Sequence, residues 1–247
     1  MLYDKYGLNF LLFTYIVSII SFVLFLYISV VCIIDLIKKR EVVQKQIKSA
    51  VILICLVCMI LAAPWWFLSF AFNTRNAKNI ELFHKLAVKT SILPSVRSYM
   101  YNNLGGYYYA NFEGKKAIFA YEKSKFLDSL FPLCALYTIK GDHVKGIEVC
   151  AAVGMCQAVS VNYILNKDYK KALETINLKF KNPQNLNCMD YATRGFIYKK
   201  SGQKTEAAED FDKAYKMCKN AERIKKIIYE DNYFENLYAE KMIKYNF

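Results

Sequence analysis

Two stretches without a single charge dominate what this chain can become. Residues 6–34 form a run of 29 and residues 49–73 a run of 25, both rich in Leu, Ile, Val and Phe. About 20 apolar residues cross a bilayer core of roughly 30 Å as a helix, so each run is long enough to span. Together they predict a two-helix transmembrane hairpin within residues 1–76, with spans at about 8–34 and 50–72. A secretory signal would show a shorter apolar core and a small-residue cleavage site, and neither is visible before residue 35. A buried soluble hairpin is the alternative that these lengths disfavour.

The basic residues suggest an orientation. The connection "DLIKKREVVQKQIKS" (35–49) sets Lys38, Lys39, Arg40, Lys45 and Lys48 against Asp35 and Glu41, whereas the N-terminal tail has Lys5 opposed by Asp4. Short Lys- and Arg-rich loops stay cytoplasmic. This predicts a multi-pass protein of the cytoplasmic (inner) membrane, with both termini and everything after residue 73 on the non-cytoplasmic side. Arg75, Lys78, Lys85 and Lys89, close behind the second span, argue the other way. Trp65 and Trp66 lie well along that span, a little deep for the headgroup level that tryptophan favours.

Residues 77–247 carry 27 Lys and Arg against 18 Asp and Glu. The lysines stand singly or in pairs with acids between them, which reads as a solvated surface rather than a nucleic-acid interface. Within this part a pattern recurs. "YATRGFIYKKSGQKTEAAEDFDKAY" (191–215) places Tyr191, Gly195, Tyr198, Gly202, Ala207, Phe211 and Ala214 in two helical segments about a Ser-Gly hinge. Leu104, Gly105, Tyr108, Ala117 and Tyr121 echo it, as do Leu133, Tyr137, Gly141, Gly146 and Cys150, and then Tyr163, Tyr169, Ala172 and Ile176.

This pattern resembles the tetratricopeptide repeat, whose signature is an aromatic, Leu-Gly, Tyr, a turn, then Ala and Phe. The match is strongest at 188–218, although Arg194 stands where leucine is usual, and the other three repeats are degenerate. The anchors Ala117, Gly146, Ala172 and Ala207 are spaced 29, 26 and 35 apart. Only the last approaches the family period of about 34, so shortened helices are expected in the middle repeats. The resemblance covers about residues 96–218. It implies an all-α solenoid of about four antiparallel helix hairpins, in which the small anchors sit where helices approach closely. Residues 77–95 read as a linker and cap, the amphipathic "NIELFHKLAVK" among them, with a continued membrane helix or a headgroup-level helix as alternatives. The charged, helically periodic segment after residue 219 reads as a C-terminal capping helix, closing a domain of residues 96–247.

In that family the groove is lined by the first helix of each hairpin. Carried over, this implies a protein- or peptide-binding face of Tyr99, Asn102, Tyr109, Phe131, Thr138, Gln157, Phe196, Lys199 and Lys200, with the two lysines suited to an acidic peptide or a C-terminal carboxylate. The antiparallel hairpin would also bring Cys188 and Cys218 together at the ends of the last repeat, and set Cys134 opposite Cys150 with Cys156 just beyond. A disulfide needs Cα atoms within about 7 Å and an oxidising compartment.

Little in the chain proposes chemistry. Its two histidines, His84 and His143, lie in different segments with no ligand-spaced partner. "NNLGGYYYANFEG" lacks the GK[ST] ending of a phosphate loop, and the carboxylates of "EAAEDFD" (206–212) read as solvated. No catalytic residue, cofactor or metal is expected. The expected function is a membrane-anchored scaffold that binds a protein or peptide. The alternative is an accessory subunit of a membrane enzyme, transporter or secretion complex that makes contact through the spans, with Ala62, Ala63 and Ser69 allowing close helix packing.

Overall fold

The computed structural model describes Tyr27 and residues 42–74, 76–218 and 221–247. The first expected span, 8–34, lies outside the described residues apart from Tyr27. All regular structure among the described residues is helical. One helix there, from Ile52 to Asn73, is long and apolar enough to cross a membrane. The chain divides into two compact units at Leu104 and Gly105.

The first unit contains α1 (Val42–Asn73), α2 (Ala77–Thr90) and the start of α3 (Pro94–Ala110). Asn76 ends the connection by accepting a hydrogen bond from the Lys78 amide, which caps α2. The spacing of Ile80, Phe83, His84 and Ala87 then turns one apolar face of α2 onto the last third of α1. Leu68, Ala87 and Met100 form the core there, with Trp65, Phe67, Val88, Val96 and Tyr99 around it. Ser91 closes α2, and the Arg97 guanidinium donates two hydrogen bonds to the Ser91 carbonyl, at 2.9 and 2.7 Å.

The second unit is a stack of helix hairpins. Its pairs are the end of α3 with α4 (Gly114–Lys123), α5 (Leu130–Lys140) with α6 (His143–Ala152), α7 (Cys156–Leu165) with α8 (Tyr169–Phe180), and α9 (Cys188–Lys200) with α10 (Lys204–Met217). Each hairpin has the same internal register. The carbonyls of Tyr108, Tyr137, Tyr163 and Tyr198 accept hydrogen bonds from the amides of Glu113, Asp142, Asp168 and Gln203, at 2.9–3.0 Å. The residue just before each of those amides, Phe112, Gly141, Lys167 or Gly202, has φ between 59° and 82°, so the chain reverses through the left-handed region. Nine residues after each tyrosine comes a buried small residue, Ala117, Gly146, Ala172 or Ala207. The irregular spacing of the repeats therefore arises between hairpins, from the connectors and helix lengths, while the turn stays fixed.

The helix crossing is also conserved in position. In the first and last hairpins a Cβ on Gly105 or Gly195 would come within 2.7 Å of Tyr121 or 2.8 Å of Phe211. At the same two places in the second hairpin stand Cys134 and Cys150, joined as a disulfide with Cα atoms 4.9 Å apart. Cys188 and Cys218, at the open ends of α9 and α10, are joined with Cα atoms 5.9 Å apart.

Two positions depart from what the sequence suggests. Asp210, expected on a solvated helix face, is 2 % exposed and receives the Arg194 guanidinium through two hydrogen bonds, at 2.6 and 2.8 Å. The arginine in place of leucine is thus matched by an acid on the facing helix. After residue 220, where one capping helix is expected, there are two: α11 (Glu222–Tyr229) and α12 (Tyr233–Lys244). The intervening Glu230–Asn232 lacks an apolar residue, and α12 turns back onto α5 and α7.

Candidate functional site

The inner face of the second unit is built from the first helices of the hairpins, and it is occupied by the chain's own C-terminal segment. Phe234, 2 % exposed, sets its ring edge-on to Phe196 at 5.0 Å between centroids. Lys199 donates to the Ile228 carbonyl at 3.0 Å and pairs with Asp231 at 2.7 Å. That hydrogen bond holds the Asp231 carboxyl below its ordinary value. At the far end Tyr245 packs 5.2 Å from Tyr109 and edge-on to Phe112 at 5.2 Å, and Lys244 lies over the Phe112 ring at 4.2 Å. The Gly114 amide donates to the Tyr245 carbonyl at 2.9 Å. Only glycine fits at this position, since a Cβ would come within 2.7 Å of that carbonyl and overlap the Phe247 ring.

The electrostatics of the segment follow from burial. Burial raises the Tyr245 hydroxyl above its ordinary value, and its hydrogen bond with Tyr109 adds to the shift. Burial lowers the Lys241 ammonium, helped by the nearby Arg223, whose guanidinium donates to the Tyr233 hydroxyl at 3.0 Å. Glu235 Oε2 is buried with no hydrogen-bond partner among the described residues.

The residues carried over from the repeat pattern have different surroundings. Tyr99 and Asn102 belong to the first unit, where Tyr99 packs 5.4 Å from Trp65 and Asn102 is half-buried. Tyr109, Phe196 and Lys199 contact the C-terminal segment as described. Lys200 lies over the Phe196 ring at 5.5 Å, and Phe131 is exposed. Thr138 is buried in a polar chain. Asn162 Nδ2 donates to Thr138 Oγ1 at 2.8 Å, and His143 Nδ1 lies 3.2 Å from Asn162 Oδ1. Gln157 donates to Thr193 Oγ1 at 3.3 Å, bridging successive hairpins.

Sequence reasoning missed Phe234, Asp231, Tyr245, Phe247 and Gly114. The one available signal was aromatic density, with Tyr233, Phe234, Tyr238, Tyr245 and Phe247 within the last 15 residues, more than an exposed cap requires. Among the described residues no group of three or more His, Cys, Asp or Glu is placed to hold a metal ion. No protein-family model matches the chain, and no curated protein is similar to it.

Proposed function

We propose that this chain is a membrane-anchored protein-interaction module of tetratricopeptide-repeat-like architecture, and that its inner face receives a helical segment bearing aromatic anchors. One observation carries the reading: that face already accommodates such a segment in cis, with Phe234 on Phe196 and Tyr245 on Tyr109. Helix-in-groove recognition uses apolar anchors at helical spacing, and α12 supplies them. A partner helix of this kind competes with α12, so the chain's own C-terminus sets the affinity that a partner must exceed. With the second unit on the non-cytoplasmic side, the pairs Cys134–Cys150 and Cys188–Cys218 would form in an oxidising compartment, where disulfides persist.

The test uses a labelled peptide of residues 231–247 and fluorescence anisotropy. A chain truncated after Glu230 should bind the peptide saturably and a scrambled peptide not at all, while the full chain should bind neither. Full-chain Phe234→Ala, which loosens the segment without removing it, should show intermediate binding. A truncated chain that keeps its helical circular dichroism and ignores the peptide sinks the reading.

A further inference from the structure

The way α2 is seated on α1 fixes where the membrane ends, a point that rests on the membrane-anchored reading above. Phe83 lies 6.5 Å from Phe67 and 5.6 Å from Phe70, ring to ring, and His84 is edge-on to Phe72 at 5.8 Å. With Trp65 against Tyr99 and the Leu68–Ala87–Met100 core, these contacts seat α2 and α3 on α1 between Trp65 and Phe72, with Phe70 and Phe72 still 55 % and 45 % exposed. Tyr99 and Met100 belong to α3, and α2, the helix that meets Phe67, Phe70 and Phe72, is charged. Lys78, Glu81, Lys85 and Lys89 fall within its fourteen residues; Lys78, Lys85 and Lys89 are exposed, and Lys85 pairs with Glu81 across one turn at 2.8 Å. Hydrocarbon does not accept a helix with exposed ammonium groups. The part of α1 seated beside it must therefore also lie outside the hydrocarbon.

The exposed apolar surface continues on the N-terminal side of Trp65. Leu53, Ile54, Leu56, Val57, Ile60 and Leu61 are 40–63 % exposed, and none of the described helices covers them. We infer that the lipid bilayer is the occupant of this face and that its hydrocarbon ends at Trp65 and Trp66, not at residue 72. Residues 67–73 of α1 then stand in the headgroups and beyond as the seat of α2. From Lys48 to Trp66 the helix rises about 27 Å at ~1.5 Å per residue, close to the core thickness of roughly 30 Å. Lys45 and Lys48 fall at the other end of this stretch of helix. A span over 50–72 would rise about 33 Å and fit equally well, so length does not decide between them; the charged helix does. The shorter span also returns both tryptophans to the interface that their rings favour.

Trp65 and Trp66 are the only tryptophans in the chain, so tryptophan fluorescence, excited selectively over the tyrosines, reports on this boundary alone. The full chain is reconstituted into phosphatidylcholine vesicles carrying a nitroxide either near the headgroup end of the acyl chain or near its methyl end. The inference expects stronger quenching by the headgroup-end label, in the parent chain and in both single-tryptophan variants, Trp65→Phe and Trp66→Phe. Stronger quenching by the methyl-end label overturns the boundary while leaving the membrane anchor standing. Quenching by neither label, with the chain resisting alkaline extraction, means that protein rather than lipid covers this face, and overturns it too. A chain that alkaline washing releases removes the membrane reading itself, and this inference with it.

Discussion

Removing the Asp210 carboxylate should destabilise the second unit far more than its position in an acidic helix suggests. Its side chain is 3 % exposed and that of Arg194 is 17 % exposed. The two hydrogen bonds between them, at 2.6 and 2.8 Å, are the main neutralisation of a guanidinium that otherwise has Asn177 at 3.3 Å and the Phe180 ring, 3.4 Å from its centroid. Breaking a buried pair from one side costs about 3–5 kcal/mol because the remaining charge keeps its desolvation penalty. The retained ring and amide put Asp210→Ala at the low end, about 3 kcal/mol. In a domain of this size that is a fall of about 6–12 °C in the unfolding midpoint. Arg194→Leu should cost a similar amount by stranding the carboxylate, whereas the double change Arg194→Leu with Asp210→Leu should lie within about 1 kcal/mol of the parent, since apolar replacement of both partners is often neutral. Thermal unfolding of the full chain in detergent separates the units: far-UV circular dichroism follows mainly the second, while fluorescence follows the first, where both tryptophans lie. A cost below about 1 kcal/mol for Asp210→Ala, the range of an exposed ion pair, would refute the argument. Additive costs in the double variant would refute it equally.

Three further expectations can be checked on the same material. The double change Cys188→Ser with Cys218→Ser opens a bridge of sequence separation 30 and should cost about 3–4 kcal/mol by loop entropy, read as a lower denaturant midpoint. An unchanged midpoint would show that the bridge is absent. Burial lowers His84 from 6.5 to about 4 in the folded state. The stability that depends on its neutral form is therefore complete above pH 6.5 and is lost as pH falls toward 4, by about 3 kcal/mol; fluorescence-detected melting should show this loss in the parent and much less of it in His84→Leu. Gly114→Ala pushes against Phe247 and the Tyr245 carbonyl and should raise amide exchange in α12 while leaving α9 and α10 protected; uniform protection would mean that the C-terminus is not held there.

The hairpins were legible because their determinants are local. A tyrosine, a left-handed turn residue four places on and a small residue nine places on each act within one hairpin, and all four hairpins show them. The non-glycine turns at Phe112 and Lys167 are harder to read than Gly141 and Gly202, because only glycine takes positive φ without cost. Arg194 read as a departure from the pattern because its meaning depends on Asp210, sixteen residues later on another helix. The return of α12 across the first helices was less legible still. Its contacts join Tyr245 to Tyr109 and Phe247 to Gly114, separations of more than 130 residues that no periodicity encodes. An amphipathic terminal helix has the same pattern whether it caps the end of a stack or lies along its inner face. Aromatic content separates the two cases, because a cap buries one face against a single hairpin, whereas a segment lying across several needs an anchor for each. Phe234 meets the last hairpin and Tyr245 the first, and the spacing between those two anchors measures how much of the inner face the segment crosses.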